Sequence, residues 1–179
     1  QSLCKRCIVL KQGQIVFDGD PTEAINTYLQ QSIQNESFSF DDRPDRSGSG
    51  EIRVDHLTLR SGDHVIEQAV CGQDVTFALH FRKKPGYQNK HLTVGIHVRT
   101  HLDVPIFLHH SRLTQTWFEK LPEEGAFAFH VKKLPLPPGT YHLYYSILDG
   151  HDYIDTLQES IPFRVESGDF YGTAEVPQL

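Results

Sequence analysis

From Val75 the chain alternates without a slip. Val75, Phe77, Leu79 and Phe81 are apolar, and Thr76, Ala78 and His80 stand between them. A period of two is the period of a β-strand, whose successive side chains point to opposite faces. The pattern returns in Leu92–Thr100, where Val94, Ile96 and Val98 alternate with Thr93, Gly95, His97 and Arg99, and again in Phe127–Val131 and Thr140–Leu148. Ile52–Leu59, Val65–Val70, Val104–His110 and Glu159–Val165 complete a set of roughly eight short strands. Turn residues bound them: Ser61-Gly62-Asp63, Cys71-Gly72-Gln73-Asp74, Lys83-Lys84-Pro85-Gly86, Leu136-Pro137-Pro138-Gly139 and Asp149-Gly150. No long helical pattern intervenes, so the crossover helices that a parallel sheet requires are missing. The segment 51–179 is therefore expected to be all-β, an antiparallel immunoglobulin-like or jelly-roll β-sandwich.

The first 50 residues follow a different pattern. Cys7–Leu10 and Ile15–Phe17, joined through Gly13, read as a β-hairpin. Asp20 is placed to cap a helix, Pro21 suits its first position, and Glu23 completes a capping-box-like pattern. Ala24, Ile25, Tyr28 and Leu29 give that helix an apolar stripe. Residues 1–31 thus read as a hairpin and a short helix. Residues 32–50, rich in Ser, Asn, Asp, Arg and Gly, read as a linker, with Phe38 and Phe40 able to dock on a flanking part.

Composition narrows the function. The net charge of -6 argues against nucleic acid, whose phosphates call for a basic surface. Three cysteines make no disulfide framework. No apolar run approaches the roughly 20 residues that span a bilayer, and no secretory leader is evident, which leads to an expectation of a cytoplasmic protein. The chain also reads as if it starts inside a domain. Eleven His, seven Tyr and eleven Phe suit either a sandwich core or a surface that stacks against ligand rings.

The run from Ser2-Leu3-Cys4 through Ile8-Val9-Leu10, Gly13, Ile15 and Gly19-Asp20-Pro21 resembles the C-terminal end of an ABC-transporter ATPase domain. No phosphate-binding G-x-x-x-x-G-K-[ST] loop is present. Several runs downstream resemble the C-terminal domain of the Wzt family, the ATPase subunits of O-antigen polysaccharide exporters. They are Gly72-Gln73-Asp74-Val75, Val94-Gly95-Ile96-His97-Val98, Leu136-Pro137-Pro138-Gly139-Thr140-Tyr141-His142-Leu143, Ile161-Pro162-Phe163-Arg164-Val165 and Gly168-Asp169-Phe170-Tyr171-Gly172. One stretch departs from the pattern: members often carry an aspartate–glycine turn after the Val94–Val98 strand, and this chain reads Arg99-Thr100-His101-Leu102-Asp103-Val104-Pro105. The resemblance implies an ATPase remnant over 1–31, a linker over 32–50 and a polysaccharide-binding domain over 51–179. It further implies a location at the inner membrane through the transporter, with the ABC ATPase domain and a transmembrane permease as partners. A homodimer, in some members with an exchanged strand, is implied as well. ATP and Mg would belong to the parent ATPase domain, with no cofactor in this chain.

A candidate face follows from the period. If Val75, Phe77, Val94, Ile96, Tyr141, Leu143, Tyr145 and Ile147 point to the core, then Thr76, His80, Thr93, His97, Arg99, His142, Tyr144 and Ser146 point away from it. That set is rich in donors and poor in carboxylates, as a glycan surface would be, and it also suits a plainly solvated sheet face. The candidate carbohydrate ligands are His80, His97, Arg99, His142 and Tyr144. Trp117 joins them either as a sugar platform or as a core or edge-covering residue. His109 and His110, near His101, point to opposite sides of a strand and make a poor metal site. Cys4-x-x-Cys7 has redox spacing and reads as structural. Asp149, Asp152 and Asp155 read as a solvated turn, since calcium-loop spacing is lacking. Glu123 and Glu124 splay apart, so the paired carboxylates of a glycosidase are not expected and neither is catalysis. Besides a glycan-binding module, the sequence leaves open a non-catalytic dimerisation or regulatory appendage, or a teichoic-acid exporter, whose anionic polymer would ask for a more basic surface.

Overall fold

A computed structural model describes residues 4–11, 13–25, 27, 40, 43–173, 175 and 177. The chain divides into two units, 1–37 and 38–179.

In the first unit β1 (Cys7–Lys11) and β2 (Gln14–Gly19) form an antiparallel hairpin. Gly13 takes the left-handed conformation its turn requires, at φ 80°. Residues 21–25 are helical, and Asp20 caps them as its position predicts. Its Oδ1 accepts the N–H groups of Thr22 at 2.8 Å and Glu23 at 3.4 Å. Ala24 is buried and Ile25 is exposed. Tyr28, Leu29 and Phe38 lie outside the described residues.

The second unit is built from strands β3 (Arg46–Ser47), β4 (Ile52–Ser61), β5 (His64–Ile66), β6 (Ala69–Val70), β7 (Val75–Lys83), β8 (Leu92–Thr100), β9 (Pro105–His110), β10 (Glu124–Val131), β11 (Gly139–Asp149), β12 (Asp152–Leu157) and β13 (Ile161–Glu166). One sheet has the order β10-β7-β4-β5. The other centres on β11. Strand β8 runs along one of its edges and carries β9 beyond it, while β13 and β12 share the other edge, pairing with Gly139–Leu143 and Ser146–Asp149. Every pairing is antiparallel except β13 with β6. The core between the sheets holds Val75, Phe77, Val94, Ile96, Tyr141, Leu143, Tyr145 and Ile147, all buried as the alternation requires. The all-β sandwich is thus the fold of the chain.

Three local readings change. Val65–Val70 is two strands in different sheets, since β5 pairs with β4 and β6 with β13. Of the solvated turn read into Asp149, Asp152 and Asp155, the turn itself lies at Gly150-His151 between β11 and β12, and the reading fails at Asp155, which is buried within β12. The carboxylate of Asp155 is 1% exposed and takes a paired contact from Arg46, with Nε to Oδ1 at 2.7 Å and Nη2 to Oδ2 at 2.6 Å. It also accepts the Val54 N–H at 2.8 Å and the Tyr145 hydroxyl at 3.0 Å. Asp149 accepts the N–H of His91 at 2.6 Å and the hydroxyl of Tyr87 at 2.8 Å. Finally, the described part of the segment 38–50, read as linker, belongs to the sandwich. Phe40 is 1% exposed and stacks with Tyr145 at 5.9 Å, and β3 pairs with β12. The Arg46 guanidinium, bonded to the carbonyls of Phe40 and Val54 as well as to Asp155, fixes this segment in place. The composition of 32–50 conceals that arrangement.

Candidate functional site

The outer face of the β11 sheet can be read from its registers. Gly95 on β8 lies between His110 on β9 and Ser146 on β11, and Ser146 faces Thr156 on β12. One step along, Leu108, His97 and Tyr144 form a row; beyond them Arg99 faces His142. In the other direction lie Thr93, Leu148 and Tyr153. At the centre of the sheet the middle row is small, Gly95 and Ser146, while its neighbours His97 and Tyr144 on one side and Leu148 on the other are larger. A strand with small residues between bulky ones makes a depression, and two grooves meet there. One, of about 500 Å³, is walled by His97, Arg99, Asp103, Leu108 and Tyr144. The next, of about 600 Å³, is walled by Thr93, His110, Trp117, Leu148 and His151. Ser146 and Tyr153 line both, so the two form one trough across the sheet.

Of the expected carbohydrate ligands, the trough gathers His97, Arg99, Tyr144 and Trp117, with His142 beside Arg99 on the same face. It does not include His80, which belongs to β7 in the other sheet. There it stacks on His56 with ring centroids 4.3 Å apart, and its Nε2 meets the Thr58 hydroxyl at 2.9 Å. Alternation places a side chain inside or outside its own sheet and carries no information about which of two sheets that is. His80 and Thr76 therefore share an outward direction with His97 but not a surface.

Trp117 is 41% exposed, which rules out the core reading. The neighbouring residue supplies the core contact: Phe118 packs against Phe127 at 5.1 Å, and its N–H reaches the Leu92 carbonyl at 3.1 Å. Trp117 is thereby displayed beside the His91 ring, 4.9 Å away. The loop leading to it begins with a 3-10 turn at Ser111–Thr114, where the His110 Nδ1 accepts the Arg112 N–H at 3.1 Å. His110 in turn lies over Gly95, where a Cβ would come within 2.8 Å of the ring Cγ. The glycine thus permits both the ring and the depression.

At the other end Arg99 donates to Asp103 Oδ2 at 2.7 Å, and its Cζ lies 5.5 Å from the centre of the Tyr144 ring. The Arg99 Nε is buried and has no hydrogen-bond partner among the described residues. Asp103 occupies a left-handed position, φ 63°, which a short polar side chain tolerates. The hydrogen bond from Arg99 holds its carboxyl below the usual range. Burial lowers His97 and His142, and burial lowers His110 too, with Arg99, His101 and Arg112 respectively adding to the effect. At neutral pH these imidazoles are therefore uncharged and can both donate and accept hydrogen bonds. Beside the ion-paired Arg99 they form a polar surface, to which Arg112 on the wall of the second groove adds a positive charge.

Tyr153, Leu108, Gly95 and Asp103 were not among the expected ligands. Tyr153 is 55% exposed and sits on the strand that the aspartates concealed. A glycine inside an alternating strand was the available signal for the depression.

The family model described as the Wzt C-terminal domain matches residues 43–176. Among solved structures, the crystal structure of the C-terminal domain of wzt superposes with a TM-score of 0.60 at 16% identity, over 76% of this chain and 86% of that one. A Niemann-Pick type C2 protein from the Japanese carpenter ant matches at a TM-score of 0.41 and 11% identity, over 67% of this chain and 98% of that one. No curated protein matches the chain. At such identities the likeness between structures is one of fold.

Proposed function

This chain belongs to the Wzt C-terminal domain family, and from that premise we propose that it recognises the O-antigen polysaccharide of an ABC exporter in the trough of the β11 sheet. The observation that carries the reading is the gathering of Tyr144, His97 and Arg99 at one end of a small-residue floor and Trp117 at the other. Pyranose rings present apolar faces that stack on Tyr and Trp. Their hydroxyls need groups that donate and accept in turn, which neutral imidazoles, serine and tyrosine provide. The trough is open along its length, which suits a polymer.

In this role the chain has no catalytic task. It holds the polymer on the cytoplasmic side, close to the permease. ATP and Mg are handled by the ATPase domain, since this chain lacks the phosphate loop that would hold them. The trough carries few charges, the Arg99–Asp103 pair and Arg112, which favours a neutral glycan over a teichoic-acid-type polyanion or a nucleic acid.

The test is calorimetric titration of the purified chain with the O-polysaccharide of its own source, beside an unrelated O-chain. Selective binding that Tyr144→Ala or Trp117→Ala weakens is the expected result. A folded protein that binds neither polymer overturns the reading and leaves the dimerising or regulatory appendage.

A further inference from the structure

The N-terminal unit holds a close pair of cysteines that glycan recognition leaves unused. Cys7 opens β1 and Cys4 precedes it, and their Sγ atoms lie 3.4 Å apart. Residue 5 forms a bend between them. Arg6 is tied across the hairpin to the Asp18 carboxylate on β2, its Nε 2.5 Å from Oδ1 and its Nη2 on the second oxygen. That contact ties the residue before Cys7 to the opposite strand. Cys4 is exposed and Cys7 half-buried, while the third cysteine, Cys71, is buried in the sandwich.

We propose that Cys4 and Cys7 are a reversible dithiol–disulfide couple that reacts with a low-molecular-weight disulfide such as glutathione disulfide and locks the entry to the β1–β2 hairpin. The Cys4 thiol loses its proton to solvent and its sulfur attacks one sulfur of glutathione disulfide. A protein–glutathione bond forms and one glutathione thiolate leaves. Cys7 then loses its proton and attacks the Cys4 sulfur, forming the Cys4–Cys7 bond and expelling the second glutathione. The protein gives up two electrons and two protons, and one glutathione disulfide becomes two glutathiones. The order follows from access and acidity: Cys4 is the exposed thiol, and the hydrogen bond with Cys4, with burial adding to it, holds the Cys7 thiol above its ordinary range. Cys7 is thus the slower nucleophile and acts as the resolving group, already in contact with its target. Where the surrounding glutathione pool is reducing, a couple of this kind forms transiently and reports on that pool.

The experiment is a redox titration of the whole chain in glutathione buffers, quenched by acid and alkylation and read by peptide mass spectrometry. The expected product is one Cys4–Cys7 disulfide, reversed by dithiothreitol, with Cys71 alkylated only after unfolding. Cys4→Ser should leave Cys7 reacting slowly and stopping at a mixed disulfide, and Cys7→Ser should trap glutathione on Cys4. The pre-set geometry raises the effective concentration of one thiol at the other, so the equilibrium constant in the native chain should exceed that of the chain unfolded in guanidinium by roughly tenfold or more. Equal constants in the two states, two glutathiones carried at once, or a disulfide mapped to Cys71 would each overturn the proposal.

Discussion

Asp155 and Tyr144 show how differently two polar side chains of one sandwich are used. The Asp155 carboxylate is 1% exposed, and the Arg46 guanidinium paired with it is 4% exposed. Every contact that Asp155 makes reaches another part of the fold: Arg46 on β3, Val54 on β4 and Tyr145 on β11. Its charge raises the Tyr145 hydroxyl far above the ordinary phenol range, with burial the larger cause. Asp155→Asn keeps the shape, turns one acceptor oxygen into a donor and removes the carboxylate charge that faces the buried Arg46 guanidinium. The expected loss is about 3–5 kcal/mol, the range for breaking a buried pair from one side, seen as a lower urea midpoint at unchanged slope. Tyr144 is only partly buried, against His97 and Arg99. Tyr144→Ala should leave the urea midpoint nearly unchanged and weaken glycan binding roughly tenfold, the equivalent of about 1.4 kcal/mol. If stability fell while affinity held, Tyr144 would be a packing residue and the trough would lose its central ligand.

At the level of elements, the trough depends on the join between β8 and β9. Gly95 gives His110 room to lie across β8, and from there His110 caps the turn at Ser111–Thr114 that begins the loop to Trp117. Gly95→Ala should therefore act twice. A methyl forced against the imidazole costs about 1–3 kcal/mol, as overpacking does. Displacing His110 also releases the Arg112 N–H and shifts the Trp117 loop, so tryptophan fluorescence and its quenching by acrylamide should change in the variant. An unaltered spectrum would disconnect the loop from Gly95. These elements also show where sequence could and could not be read. Strands β7, β8 and β11 are legible because one side of each faces a continuous core. In β4 the pairing register shifts between Val54 and His56, so the buried positions run Ile52, Val54, Leu57, Leu59 and the period is lost midway although the strand remains. Strand β12 was hidden because its inward position at Asp155 carries a charge whose partner, Arg46, is 109 residues away in sequence. His97, Arg99, His142 and Tyr144 could be grouped from alternation, but the placing of His80 depended on strand order, a long-range property that no local pattern encodes.

Across the whole molecule the histidines set a pH dependence. His97 and His110 on the trough, His142 beside Arg99 on the same face, and His80 on the opposite sheet all have their affinity for protons lowered, with burial the leading cause in each. The folded chain therefore binds fewer protons than the unfolded chain once the pH falls below the ordinary histidine value of about 6.5. Stability then has a positive slope with pH in that region. It is fully present above about 6.5 and declines as pH falls through the lower folded values. The carboxylates follow a separate course. Asp45, held down chiefly by Arg43, and Asp103, held down chiefly by Arg99, support the fold until the pH drops below about 4. Two descending steps are thus expected, an imidazole step just below neutrality and a carboxylate step in acid. Urea midpoints measured at pH 7.5, 5.5 and 3.5 would resolve them. His142→Gln, which keeps a polar side chain and removes one of the four titrations, should make the first step smaller and leave the second in place. Glycan affinity should fall over the same first step, because protonation removes the imidazole acceptors and places positive charge beside Arg99. A midpoint that rose between pH 7.5 and 5.5 would mean that the folded chain gains protons there, and the neutral trough on which the glycan reading depends would be ruled out.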